Sequence, residues 1–165
     1  MGFTAAGISP TTVTTTQQAP LGFVLTVPNG DNGAQEWLYV FNDEASTAFA
    51  IGNVIIKDPS ATTFDFYGGI QAPDTAHTPA VMVLGVAQHP IAAGSYGFIL
   101  RKGVGLVLAG SAGVAVDSAF TTGGSAAGTV LVYADDTAGA NIAVIGHTAT
   151  AISGGATGTV YVNCG

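Results

Sequence analysis

From Leu21 onward the chain alternates short apolar runs with clusters of turn residues. Residues 21–27 end at Pro28-Asn29-Gly30-Asp31-Asn32-Gly33, and residues 36–42 resume as a second apolar run, a pattern that predicts a β-hairpin. Residues 48–56, 63–67, 80–88, 96–101, 103–109, 128–134, 141–146 and 159–163 continue the series. Runs of this length and spacing predict an all-β chain, a small barrel or sandwich of short antiparallel strands. Only residues 42–50 leave room for a short helical turn, capped by Asn42 or Asp43.

Residues 1–20 differ from the rest of the chain. Thr11-Thr12-Val13-Thr14-Thr15-Thr16-Gln17-Gln18 lies between Pro10 and Pro20, and no charge occurs from Met1 to Pro20. β-branched Thr and Val favour extended backbone, and the flanking prolines oppose a helix. The expectation is an extended N-terminal arm over 1–20, followed by a β domain over 21–165 in which a separate lobe around 21–80 is one division. Such an arm is either a loose terminus or a strand that adds to a partner's sheet edge through main-chain bonding. In the second case Thr11, Thr12, Val13, Thr14, Thr15 and Thr16 are the binding residues.

A weak internal repeat runs through the glycines. Gly85, Ile91, Gly94 and Gly97, followed by Phe98-Ile99, recur at the same spacings as Gly146, Ile152, Gly155 and Gly158, followed by Thr159-Val160. Each set reads as strand, apolar turn, glycine corner, strand. A duplicated hairpin in a small barrel is one reading and chance similarity in a Gly/Ala-rich chain is the other.

Trp37, Tyr39 and Phe41 alternate along one face of a predicted strand, with Leu38 and Val40 on the other. A strand apolar on both faces is covered twice, by the core and often by a partner. Trp37, Tyr39 and Phe41 are therefore either core residues or a subunit interface. Val104, Leu106 and Leu108, interleaved with Gly105, Val107 and Ala109, have the same two-sided character.

Composition narrows the function classes. Ordinary charged-residue usage would give about 41 charges in a chain of 165 residues, whereas this one has 10 acidic and 3 basic side chains. A surface so poor in charge is commonly covered by a neighbouring chain. Three basic residues give no electrostatic footprint for nucleic acid, so direct binding is not expected. Residues 104–116 form the most apolar stretch but are short and broken by three glycines, so no membrane span is expected. The first residues lack the basic start and apolar core of a secretory signal and the serine pattern for myristoylation. Cys164 is the single cysteine, which excludes an intrachain disulfide and fits a reducing compartment.

Motifs for chemistry are incomplete. Ala93-Gly94-Ser95-Tyr96-Gly97 resembles a nucleophile elbow, but Phe98-Ile99-Leu100 continues as a strand where the elbow needs a helix. Ala156 also stands in the second copy where Ser95 stands in the first, while the glycines stay. Gly123-Gly124-Ser125-Ala126-Ala127-Gly128 has phosphate-loop glycine spacing without the lysine that completes the motif. Gly103-Val104-Gly105 lacks the rest of a dinucleotide fingerprint. His77, His89 and His147 have no ligand partner at local spacing. Asp31-Asn32-Gly33 lacks the later acidic residues of a calcium loop, and Asp135-Asp136 reads as a turn. One Trp and five Tyr offer few platforms for sugars. The expectation is a non-enzymatic protein with no cofactor and no metal.

Leu84-Gly85-Val86-Ala87, Ile91-Ala92-Ala93-Gly94 and Gly103-Val104 resemble segments of the small β-rich decoration (cement) proteins of tailed double-stranded DNA phages. Residues 114–122 followed by Ala126-Ala127-Gly128-Thr129-Val130 are similar to a stretch those proteins repeat. Pro20-Leu21-Gly22, Glu36-Trp37-Leu38-Tyr39-Val40 and Ala50-Ile51-Gly52-Asn53-Val54 extend the resemblance over most of 20–163. It implies a virion protein made in the host cytoplasm, a homotrimer on the outer capsid surface. There it binds the major capsid protein and holds the head against internal DNA pressure. In several such proteins an N-terminal arm joins the coat protein's sheet. The competing expectation is a phage tail-fibre or receptor-binding β module.

Overall fold

The structure, a computed structural model, describes residues 8–60, 66–73, 82–123, 126–133 and 144–165. Expectations placed on His77, Asp135-Asp136, Gly124-Ser125, Met1–Gly7, 61–65 and 134–143 lie outside those residues. The described chain is all-β, with β1 (Val24–Pro28), β2 (Ala34–Asn42), β3 (Val54–Lys57), β4 (Gly68–Gln71), β5 (Val83–Val86), β6 (Tyr96–Leu108), β7 (Ala119–Thr122), β8 (Val130–Val132), β9 (Gly146–His147) and β10 (Thr157–Asn163). The predicted hairpin forms: β1 pairs antiparallel with β2 across a 3-10 turn at Gly30–Asn32.

The strands build the same unit twice. In the first unit β2 pairs β4 in parallel, and β4 pairs β3, β3 pairs β5 and β5 pairs β6 antiparallel. The start of β6 returns antiparallel to β2, closing a five-stranded barrel. In the second unit the end of β6 takes the place of β2. It pairs β10, which pairs β9, then β7, then β8. A parallel bridge from Val130 to Ala109 brings β8 back to β6.

Register matches residue by residue. Val86↔Leu100 and Ile55↔Gly85 in the first unit correspond to His147↔Tyr161 and Phe120↔Gly146 in the second. Off the strands, the Phe49↔Ile91 bridge corresponds to Val114↔Ile152. The glycine repeat visible in the sequence is therefore the trace of a whole duplicated barrel. At its corner Gly94 and Gly155 hold φ of 70° and 72°, a left-handed conformation that glycine adopts without the clash of a Cβ. Each barrel is filled at matching positions. Val40, Phe49, Ile55, Ile91 and Ile99 fill the first; Val107, Val114, Phe120, Ile152 and Val160 fill the second. The aromatic ring comes from the second position in one set and the third in the other, so each barrel holds one ring.

Several local expectations are corrected. Residues 42–50 form no helical turn: the Asn42 side chain donates to the carbonyls of Thr47 and Ile91 and accepts from the Glu44 N–H, which fixes an open loop. Of residues 48–56, only 54–56 join a strand (β3), after a turn at Ile51-Gly52. Phe66 and Tyr67 lie in a turn, and the strand starts at Gly68. Residues 96–101 and 103–109 are one strand, not two. It continues through a bulge, where Glu36 faces Lys102 while Trp37 faces Leu100.

Candidate interaction surface

The N-terminal segment is seated on the chain's own first barrel. The Thr14 N–H donates to the Tyr96 carbonyl (3.1 Å) and the Tyr96 N–H donates back to Thr14 (2.8 Å), a one-residue strand addition. Val13 packs against the barrel filling around Ile91 and Ile99. Further on, the Gln18 N–H donates to the Tyr39 hydroxyl (3.0 Å), and Ala19 is buried. Thr12 is half-buried in a turn onto Ser9, whereas Thr11, Thr15 and Thr16 are exposed. For Thr11–Thr16 to bind a coat protein as a strand, Thr14 would have to leave Tyr96.

Trp37 and Tyr39 are buried within the chain, and Phe41 is half-buried with its ring 4.9 Å from that of Tyr96. Tyr39 stacks with Tyr96 and lies 4.8 Å from Phe98. Their cover is local to the chain: Ile8, Leu21, Phe23, Leu25 and Val27 pack on the same cluster. The arm and β1 thus shield the outer face of the first barrel.

Among the described residues no such segment covers the second barrel. Leu106, Leu108, Thr157, Thr159 and Tyr161 hold the positions that Tyr39, Phe41, Tyr96, Phe98 and Leu100 hold in the first. Here Thr157 and Thr159 are exposed, and Leu106, Leu108 and Tyr161 are half-buried. Val144, the counterpart of buried Val83, is 49% exposed. From Gly103 to the last residue the sequence has only Asp117, Asp135 and Asp136 as charges. The second barrel therefore presents an open, almost uncharged outer face, whose burial requires little desolvation of charge. Sequence reasoning missed it, although Gly85/Gly146 marked where the two units superpose.

Other candidate chemistry disperses. Ser95 is buried in the corner that opens β6, with its N–H bonded to the Ala92 carbonyl. The Thr129 hydroxyl donates to the carbonyls of Gly123 and Ala126. His147 is exposed beside Tyr161, while His89 lies 6.5 Å from Trp37. Both His89 ring nitrogens and Trp37 Nε1 are buried without a hydrogen-bond partner, and burial holds the His89 pKa below its ordinary range. Burial pushes the Cys164 thiol up to about 12, with Arg101 opposing. Among the described residues, no three His, Cys, Asp or Glu side chains gather as a metal site, and no helix is long and apolar enough to cross a membrane.

What the geometry defines is a tandem β-barrel with an exposed, uncharged outer face on its second barrel. Its fold is similar to that of the N base of head fiber gp8.5 of bacteriophage phi29, with a TM-score of 0.52 and 15% identity, over 76% of this chain and 92% of that one. No known protein family and no curated protein matches the sequence.

Proposed function

We propose that the protein is a structural component of a tailed-phage head, a decoration protein that sits on the outer capsid surface as a homotrimer and binds the major capsid protein. The observation that carries this reading is the fold shared with a head-fibre base, and the uncharged outer face of the second barrel supports it. A standard interface buries about 800 Å² per partner, and association entropy offsets much of the gross gain. A trimer that touches several coat subunits turns modest contacts into avidity through high effective concentration. The protein reinforces the shell by this additive burial, and needs no cofactor, metal or direct nucleic-acid contact to do so. Deleting the gene tests the assignment. Heads that lose integrity on mild heating while adsorption is unchanged support it; intact heads that fail to adsorb make the protein a receptor-binding module instead.

A further inference from the structure

Duplication lets the first barrel show what the second one lacks. At the start of β6, Tyr96 pairs Phe41 on one side, but Phe41 directs its own N–H to the Tyr67 carbonyl (3.0 Å). The main-chain groups of Tyr96 therefore point to the opposite edge, where Thr14 fills them. Thr157 is the counterpart of Tyr96. Its partner Leu108 likewise turns its N–H away, to the Gly52 carbonyl (3.0 Å), so the N–H and C=O of Thr157 face the opposite edge too. Strand β9 reaches only Tyr161 and Val162, and among the described residues nothing pairs Thr157 there. The edge is exposed, uncharged and in the geometry that accepts a strand in the first barrel.

We propose that the Thr157 edge is a strand-addition site for an extended, uncharged, β-branched segment of another protein. The occupant's chemistry follows from the filled edge, which takes Thr12-Val13-Thr14: a β-branched apolar residue directed at the barrel, flanked by small hydroxyl side chains. The occupant comes from a different protein because, among the described residues, one such arm serves two such edges, and that arm is already seated on Tyr96. The proposal rests on the duplicated fold and not on where the protein acts.

Amide hydrogen exchange on the full chain tests it first. Alone, the Thr157 N–H should exchange at least about tenfold faster than the Tyr96 N–H; equal protection would mean the edge is already filled and would overturn the proposal. A synthetic peptide of residues 10–18, standing in for the occupant, should then bind saturably and slow exchange at Thr157. Thr157→Ala should keep this binding and Thr157→Pro should lose it, since proline removes the donor. Three outcomes count against the site: peptide that protects only Tyr96, no binding at millimolar peptide, or a concentration-dependent dimer that protects Thr157 without peptide. The last would make a second copy the occupant.

Discussion

Each barrel has a glycine whose missing side chain makes room for an isoleucine from the corner before it, and this pairing can be tested in both copies at once. A Cβ built on Gly97 would lie 2.8 Å from Ile91 Cδ1 and 3.1 Å from its Cγ1. On Gly158 it would lie 2.5 Å from Ile152 Cγ1 and 2.7 Å from its Cδ1. Gly97→Ala or Gly158→Ala should therefore overpack the barrel and cost about 1–3 kcal/mol. Ile91→Val removes only Cδ1, and alone costs about 0.5–1.5 kcal/mol. In Gly97→Ala/Ile91→Val the new methyl occupies the space vacated, so the double variant should be more stable than the sum of the singles predicts, by about 1 kcal/mol. Relief should be smaller for Gly158→Ala/Ile152→Val, because the closest atom there, Cγ1, survives the change. Denaturant midpoints at constant slope give all the values. Additive costs in both barrels would refute the steric reasoning; equal relief in both would refute the positional difference.

Other expectations rest on single groups. Tyr39→Phe removes the acceptor for the Gln18 N–H, which should cost about 0.5–1.5 kcal/mol and speed proteolysis within residues 8–18; unchanged cleavage would show that this bond does not hold the arm. Cys164 should resist thiol reagents near neutral pH until the protein unfolds, because only the thiolate reacts and burial lifts its pKa to about 12; fast labelling of the folded protein would contradict its burial. For His89 the folded pKa is depressed, so the unfolded chain takes up the proton first as pH falls. Stability should be full above about pH 6.5 and decline below it, and His89→Gln should flatten that decline. An identical slope in the variant would remove His89 as the cause.

The hairpin at 28–33 and the paired corners were legible because both depend on glycines or turn residues that local geometry demands. The extent of the duplication was not. Outside the corners the matching positions exchange side chains freely, Tyr39 for Leu106 and Phe98 for Thr159, because one face is shielded by residues 8–27 and the other is open. Strand β7 was missed since Thr121 and Thr122 look like surface residues yet are fully buried. The bulge at Arg101 hid the continuity of β6, as alternation breaks there. The seat of the arm was illegible for a different reason: main-chain bonds between Thr14 and Tyr96 leave no side-chain signature. Trp37 and Tyr39 read from the sequence as core first and interface second, and only the fold shows which surface already covers them.

Direct imaging of heads with bound protein tests the central claim most squarely. Purified, gold-labelled protein should saturate the outside of tailed-phage heads that lack it, at regularly spaced positions and in clusters of three. Uniform absence from the head, or label confined to the tail tip, would contradict the account.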